Sequence, residues 1–179
     1  MEWLIIIITI ILMPIGLVFL LYTRRKNPLK AGQSAPDFNL ADQHGEIHRL
    51  TEFQGTWLAL YFYPKDDTPG CTKQACAYRD DLQKLTELGA KVVGISVDDT
   101  RSHTDFAKKY NLQFPLLADD TAEIAKKYYS LINLGIIKFA QRNTFLIDPQ
   151  GKIAKVYLSV SATNNSTNVI EDLKRLQAM

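Results

Sequence analysis

Cys71 and Cys76 are the only thiols in a chain of 179 residues, and both lie in "TPGCTKQAC". Pro69 and Gly70 precede the first thiol. A helical pattern of apolar positions follows it, at Ala75, Tyr78, Leu82, Leu85 and Leu88. Cys71 therefore falls in the first turn of a helix, where unpaired N–H groups and the positive end of the helix dipole face it. That setting favours the thiolate, the nucleophilic form of the side chain. Thr68, three residues earlier, can bring its hydroxyl to the sulfur. Together these residues read as an activated nucleophile.

The second thiol could serve a structural disulfide, a metal clip or a redox cycle. Five residues along a continuous helix amount to ~500° of rotation and ~7.5 Å of rise, which separates the two Cα atoms by ~8.7 Å. A disulfide needs about 7 Å or less. The pair can bond only if the first turns of the helix unwind, so a permanent brace is disfavoured and a transient bond fits. Two cysteines are also too few for a disulfide-stapled scaffold. A metal clip needs further ligands at characteristic spacings. The three histidines, His44, His48 and His103, are not placed beside the cysteines by sequence and read as turn or surface residues. The redox possibility remains. A thiolate takes an oxygen from a peroxide to become a sulfenic acid, and a second thiol condenses with it.

The elements that hold these residues are legible in outline. "FNLADQHGEIHRL" suggests two short strands around a His-Gly turn. "TWLALYFYP" (56–64) is a dense apolar run ended by proline and reads as a central buried strand. The helix is predicted over 72–88, with Gly89 as its cap. "KVVGISVD" is another buried strand. Short helices flank "FPLLAD", and "NTFLIDPQGKIAKVYL" forms a hairpin before a terminal amphipathic helix, "NVIEDLKRLQAM". The order β-α-β-α-β-β-α predicts an α/β three-layer domain with a thioredoxin-like arrangement.

The chain carries 21 basic and 19 acidic residues. Setting aside Arg24, Arg25, Lys26 and Glu2 leaves 18 of each sign, so the body is neutral and no nucleic-acid partner is expected. "WLIIIITIILMPIGLVFLLYT" (3–23) has no charge and is long enough for a helix to cross a bilayer. The basic residues follow this run and no small-residue cleavage pattern precedes Arg24, so an uncleaved anchor is expected rather than a signal peptide. No cysteine lies near it for lipid attachment. The positive cluster predicts a single-pass inner-membrane protein with its body in the cytoplasm. Three segments follow: a transmembrane helix at 3–23, a basic linker at 24–36 and a globular domain at 37–179.

"YFYPKDDTPGCTKQACAYRD" resembles the active-site segment of the PrxQ-type, or bacterioferritin comigratory protein, atypical two-cysteine peroxiredoxins. Pro64, Thr68 and Cys71 match the family's P-x-x-x-T-x-x-C motif, and Cys76 stands where its resolving cysteine stands. The likeness runs from about Asn27 through "GISVD" and "FLIDPQGKI" to the last helix. It implies a thioredoxin-like peroxiredoxin domain reducing hydrogen peroxide and organic hydroperoxides. By resemblance Cys71 is the peroxidatic nucleophile and Cys76 resolves its sulfenic acid as an intramolecular disulfide, which thioredoxin or a similar reductant reopens. Arg142, in "AQRNTFLID", steadies the thiolate and polarises the peroxide. Thr68 hydrogen-bonds substrate and Pro64 shields the pocket. No cofactor or metal is implied, and a monomer is expected.

Three features depart from the family's pattern. The apolar N-terminal run implies a lipid bilayer as a partner. Gln74 stands where the family often has glutamate, with little effect expected. The segment 130–140, "SLINLGIIKFA", is shorter and more apolar than the family's charged loop, and is expected either to pack in the core or to face a membrane or partner. Two other activities compete on the same fold. A membrane-anchored thiol–disulfide oxidoreductase wants C-x-x-C. A copper-chaperone-like protein wants C-x3-C and a histidine beyond His103.

Overall fold

A computed structural model describes residues 29–178. The run 3–23 and the basic cluster beside it lie outside the described residues. Among the described residues no helix is long and apolar enough to cross a membrane.

β1 (Asn39–Ala41) and β2 (Ile47–Arg49) pair antiparallel and lead through a 3-10 turn, Leu50–Phe53, into β3 (Trp57–Phe62). Helices α1 (Pro69–Asp80) and α2 (Leu82–Glu87) follow, then β4 (Ala90–Ser96), α3 (Thr100–Tyr110), β5 (Leu116–Ala118) and α4 (Glu123–Lys127). A hairpin of β6 (Leu131–Asn133) and β7 (Lys138–Ala140) precedes β8 (Thr144–Ile147), β9 (Ile153–Tyr157) and α5 (Asn165–Gln177). The main sheet has the order β5-β4-β3-β8-β9. β4 runs parallel to both β3 and β5, and β8 runs antiparallel to β3 and β9.

β3 is central because both of its faces are apolar. Leu58, Leu60 and Phe62 point into one core layer with Phe145, Ile147, Tyr128 and the 3-10 turn's Phe53. Ala59 and Tyr61 point into the other, with Cys71, Ala75 and Tyr78 of α1, Phe106 of α3 and Val169 and Leu173 of α5. The sheet thus lies between two helical layers, the arrangement expected from the sequence. The predicted helix is revised.

The helix predicted over 72–88 starts at Pro69 and breaks at Asp81, whose φ of −93° and ψ of 3° end α1 and begin α2. The Asp81 carboxylate accepts from Lys84 Nζ and from Ser166 Oγ of α5, both at 2.8 Å. The backbone bonds from the Asp81 N–H to Ala77 and from the Leu85 N–H to Asp81 persist across this point at 3.0 and 3.1 Å. Gly89 takes the left-handed φ of 68° just past α2, as its cap position requires. Residues 130–140 form the β6–β7 hairpin, whose base packs into the core through Leu131 and Ala140 and whose tip leaves Leu134, Ile136 and Ile137 exposed.

Gly94 of β4 is required by packing. A Cβ there would lie 2.8 Å from Leu116 Cδ2 and 2.8 Å from Cζ of Tyr61, whose ring stacks on Tyr78 at 4.8 Å. These rings are fully buried and cannot retreat. Gly94→Ala is therefore expected to destabilise the fold by about 1–3 kcal/mol through overpacking. Urea unfolding checks this as a lower midpoint at unchanged slope.

Candidate active site

Cys71 is the third residue of α1. Pro69 opens the helix, where its missing N–H costs nothing, and Thr68 precedes it with extended backbone. The Thr72 N–H bonds the Thr68 carbonyl at 2.8 Å, so the helix has begun by the time the chain reaches the thiol. Cys71 is 1% exposed, whereas Cys76 on the next turn is half-buried. Both thiols are free.

Arg142 arrives from the link between β7 and β8. Its Nη2 lies 3.4 Å from Cys71 Sγ. Its Nη1 donates to Gln74 Oε1 at 2.6 Å and to the Gly70 carbonyl at 3.4 Å. Gly70 makes this approach possible, since a Cβ there would stand 2.9 Å from Nη2. The stretch behind the arginine is fixed by its neighbours. The Arg142 carbonyl accepts the Val160 N–H at 3.0 Å, and Asn143 bonds Ser130 Oγ at 2.9 Å and the Ser159 N–H at 3.0 Å.

Gln74 is fully buried and ties the guanidinium to α5. Its Nε2 donates to Asn165 Oδ1 at 2.9 Å, and the same oxygen accepts from Tyr78 and Thr144 at 2.7 and 2.8 Å. Gln74 thus holds the arginine through an acceptor oxygen that a glutamate there would also offer. Tyr61 closes the pocket from the sheet. Burial, reinforced by Tyr78, Asp66 and Cys71, pushes its phenol well above the ordinary range, so it is a neutral wall at neutral pH.

The structure brings Cys71, Arg142 and Gln74 together. Pro64 and Thr68 are half-buried in the loop that leads to α1. The Thr68 hydroxyl donates to the Lys65 carbonyl at 3.0 Å instead of pointing to the sulfur. Cys76 has Arg79 beside it, one turn on, a neighbour that i,i+3 spacing could have suggested.

His103, read from sequence as a surface residue, is 0% exposed; the 103, 106, 107, 110 spacing of "SHTDFAKKY" already placed it on the apolar face of α3. Gln74 and Asn165 gave no such signal, because their partners are far away in sequence. Among the described residues one group could hold a cation: Asp42, Glu46 and His48. It contains neither cysteine, and its atoms already serve one another. Asp42 accepts the N–H groups of His44 and Glu46, and His48 bridges Asp42 and Glu52 at 3.2 and 3.1 Å.

A thioredoxin-like sheet that sets one thiol in the first turn of a helix, a second five residues on and an arginine fork beside the first is the arrangement that the likeness to peroxiredoxins implies. Residues 31–156 match the AhpC/TSA family, and the chain belongs to it. The peroxiredoxin Bcp of Bacillus subtilis (strain 168) is 38% identical over 154 residues, covering 82% of this chain and 96% of that protein. The chloroplastic peroxiredoxin Q of Populus jackii is 43% identical over 148 residues, covering 83% and 68%. In structure the chain resembles the peroxidoxin BcpB of Mycobacterium tuberculosis, with a TM-score of 0.79 at 33% identity over 83% of this chain and 98% of that one. The protein is a thiol-dependent peroxidase of the Bcp/PrxQ type, using a hydroperoxide and a thiol reductant. The thiol–disulfide oxidoreductase and copper-chaperone readings are not favoured.

The relatives also correct the expected location. A single-pass inner-membrane protein with a cytoplasmic body was predicted from the apolar run and three charges. The relatives are bacterial Bcp and chloroplastic peroxiredoxin Q, and no helix among the described residues could span a bilayer. Hydropathy reports only that the run 3–23 lacks charge, and that alone does not assign a compartment.

Proposed function

We propose that Cys71 reduces hydrogen peroxide and organic hydroperoxides and that Cys76 resolves it. The carrying observation is the Arg142 guanidinium, held by Gln74 and the Gly70 carbonyl with Nη2 at 3.4 Å from Cys71 Sγ. The thiolate sulfur attacks the terminal peroxide oxygen. The O–O bond breaks, the leaving alkoxide or hydroxide takes a proton, and Cys71 becomes a sulfenic acid. Arg142 donates to the oxygens as charge builds on them, which lowers the barrier most where the donor is pre-set and shielded from water. Thr68 reaches the substrate by turning its hydroxyl away from the Lys65 carbonyl, and Pro64 keeps water from the sulfur. The Cys76 thiolate then attacks the Cys71 sulfur. The S–O bond breaks, hydroxide leaves as water, and an S–S bond forms.

Thioredoxin or a similar dithiol reopens the bond by exchange. Both thiols belong to one helix, so a monomer suffices. The organic arm is supported by the Xanthomonas campestris bacterioferritin comigratory protein, a 28%-identical structural relative with alkyl peroxide reduction activity. The test is intact-mass and peptide analysis after one equivalent of hydrogen peroxide or of an alkyl hydroperoxide. A Cys71–Cys76 linked peptide, two hydrogens lighter, is expected with either oxidant. A product in which both thiols persist, or in which the link joins two chains, contradicts the cycle.

A further inference from the structure

The loop that delivers Thr68 and Cys71 is gripped by α3. Of the five side chains at 64–68 only Asp66 is buried. Its Oδ1 accepts the Tyr63 hydroxyl at 2.8 Å. Its Oδ2 accepts the Ser102 hydroxyl at 2.7 Å and lies 2.7 Å from His103 Nδ1. Its N–H donates to Asp98 Oδ2 at 2.9 Å. Asp67, next in the chain, has a left-handed φ of 54° and accepts from Lys109 Nζ and the Tyr110 hydroxyl, each at 2.6 Å. The two ends of α3 thus bind two consecutive residues of the loop.

His103 is the unexpected member of this set. It is fully buried, and its Nε2 has no partner. An apolar ring would fill the same space without leaving a buried nitrogen unpaired. What the imidazole adds is Nδ1, and a carboxylate can only accept, so the proton of that bond sits on Nδ1. We infer that His103 is a positioning residue for the peroxide chemistry: through Nδ1–H on Asp66 it fixes the loop that sets Thr68 and Cys71 before Arg142. The inference rests on the peroxidase reading of Cys71.

The test uses single-turnover oxidation of Cys71 by hydrogen peroxide in the reduced full chain, with the thermal midpoint measured alongside. In asparagine the amide nitrogen stands near the place of Nδ1, and in glutamine near that of Nε2. His103→Asn is expected to keep the oxidation rate within about threefold, whereas His103→Gln and His103→Phe lose about tenfold or more, the scale of a small misplacement at a reacting centre. Folded His103→Gln and His103→Phe proteins that oxidise at the wild-type rate overturn the inference, whatever their midpoints, because that is the pattern of a purely structural side chain. If His103→Phe does not fold, Asp66→Ala removes the acceptor of the same bond from its other side, and an unchanged rate there overturns it equally. A wild-type protein that fails to oxidise at Cys71 marks the failure of the peroxidase reading instead.

Discussion

Cys71→Ser is expected to fold and to consume no hydroperoxide above the uncatalysed background. The loss is on the order of 10³-fold or more, as when any enzyme loses its nucleophile. The physical reason is the element, not the shape. Serine fits the 1%-exposed site and keeps a polar atom beside Arg142, but its hydroxyl neither ionises near neutral pH nor accepts a transferable oxygen. Cys76→Ser should behave differently. It keeps the nucleophile and the guanidinium, so it reacts with one equivalent of peroxide and stops as a sulfenic acid that a carbon acid such as dimedone traps. Turnover should return only with an external thiol. The contrast follows from the helix, since Cys76 is half-buried on the turn after Cys71 and takes no part until the first turns open. Repeated turnover by Cys71→Ser at the wild-type rate contradicts the assignment of the nucleophile. Repeated turnover by Cys76→Ser without added thiol contradicts the role of the second cysteine.

That a helix begins around Cys71 was legible because its signals are local, although its first turn starts at Pro69, earlier than the apolar period shows. The Pro-Gly pair, the thiols and the apolar period all lie within "TPGCTKQAC" and the residues just after it. The central strand was legible for the same reason: β3 is apolar on both faces, and that alone marks a buried position in a layered sheet. The features that the sequence did not show depend on distant partners. Asp81, where the helix breaks, bonds Ser166, 85 positions away. The grip on Arg142 needs Gln74, 68 positions away, and Gln74 in turn needs Asn165. Arg142 itself was placed only by resemblance to the family, because nothing in "AQRNTF" says that its fork will reach a helix N-terminus. The hairpin tip was left between two readings for another reason. An apolar run is usually buried, and the fold here leaves Ile136 almost wholly in solvent.

Arg142→Met should lower kcat/KM for hydroperoxide by about 10²–10³, the range found when a pre-set donor to a developing anion is removed. Methionine is apolar and unbranched and supplies no donor. The Cys71 sulfur then loses its 3.4 Å neighbour, and the buried Gln74 Oε1 loses its 2.6 Å donor. The second loss has a separate signature. A buried acceptor left without a partner costs about 1–3 kcal/mol, so the urea midpoint should fall as well. Arg142→Lys separates the two effects. An ammonium restores positive charge but not the fork that meets Gln74 and the Gly70 carbonyl from one nitrogen and Cys71 from the other. If charge alone matters, lysine recovers most of the rate. The geometry here instead predicts that lysine recovers less than about a tenth of it, since a guanidinium fixed on one edge presents the other without rearrangement. Full activity in Arg142→Lys would show that the Gln74 contact is packing and that the thiolate needs only a nearby cation.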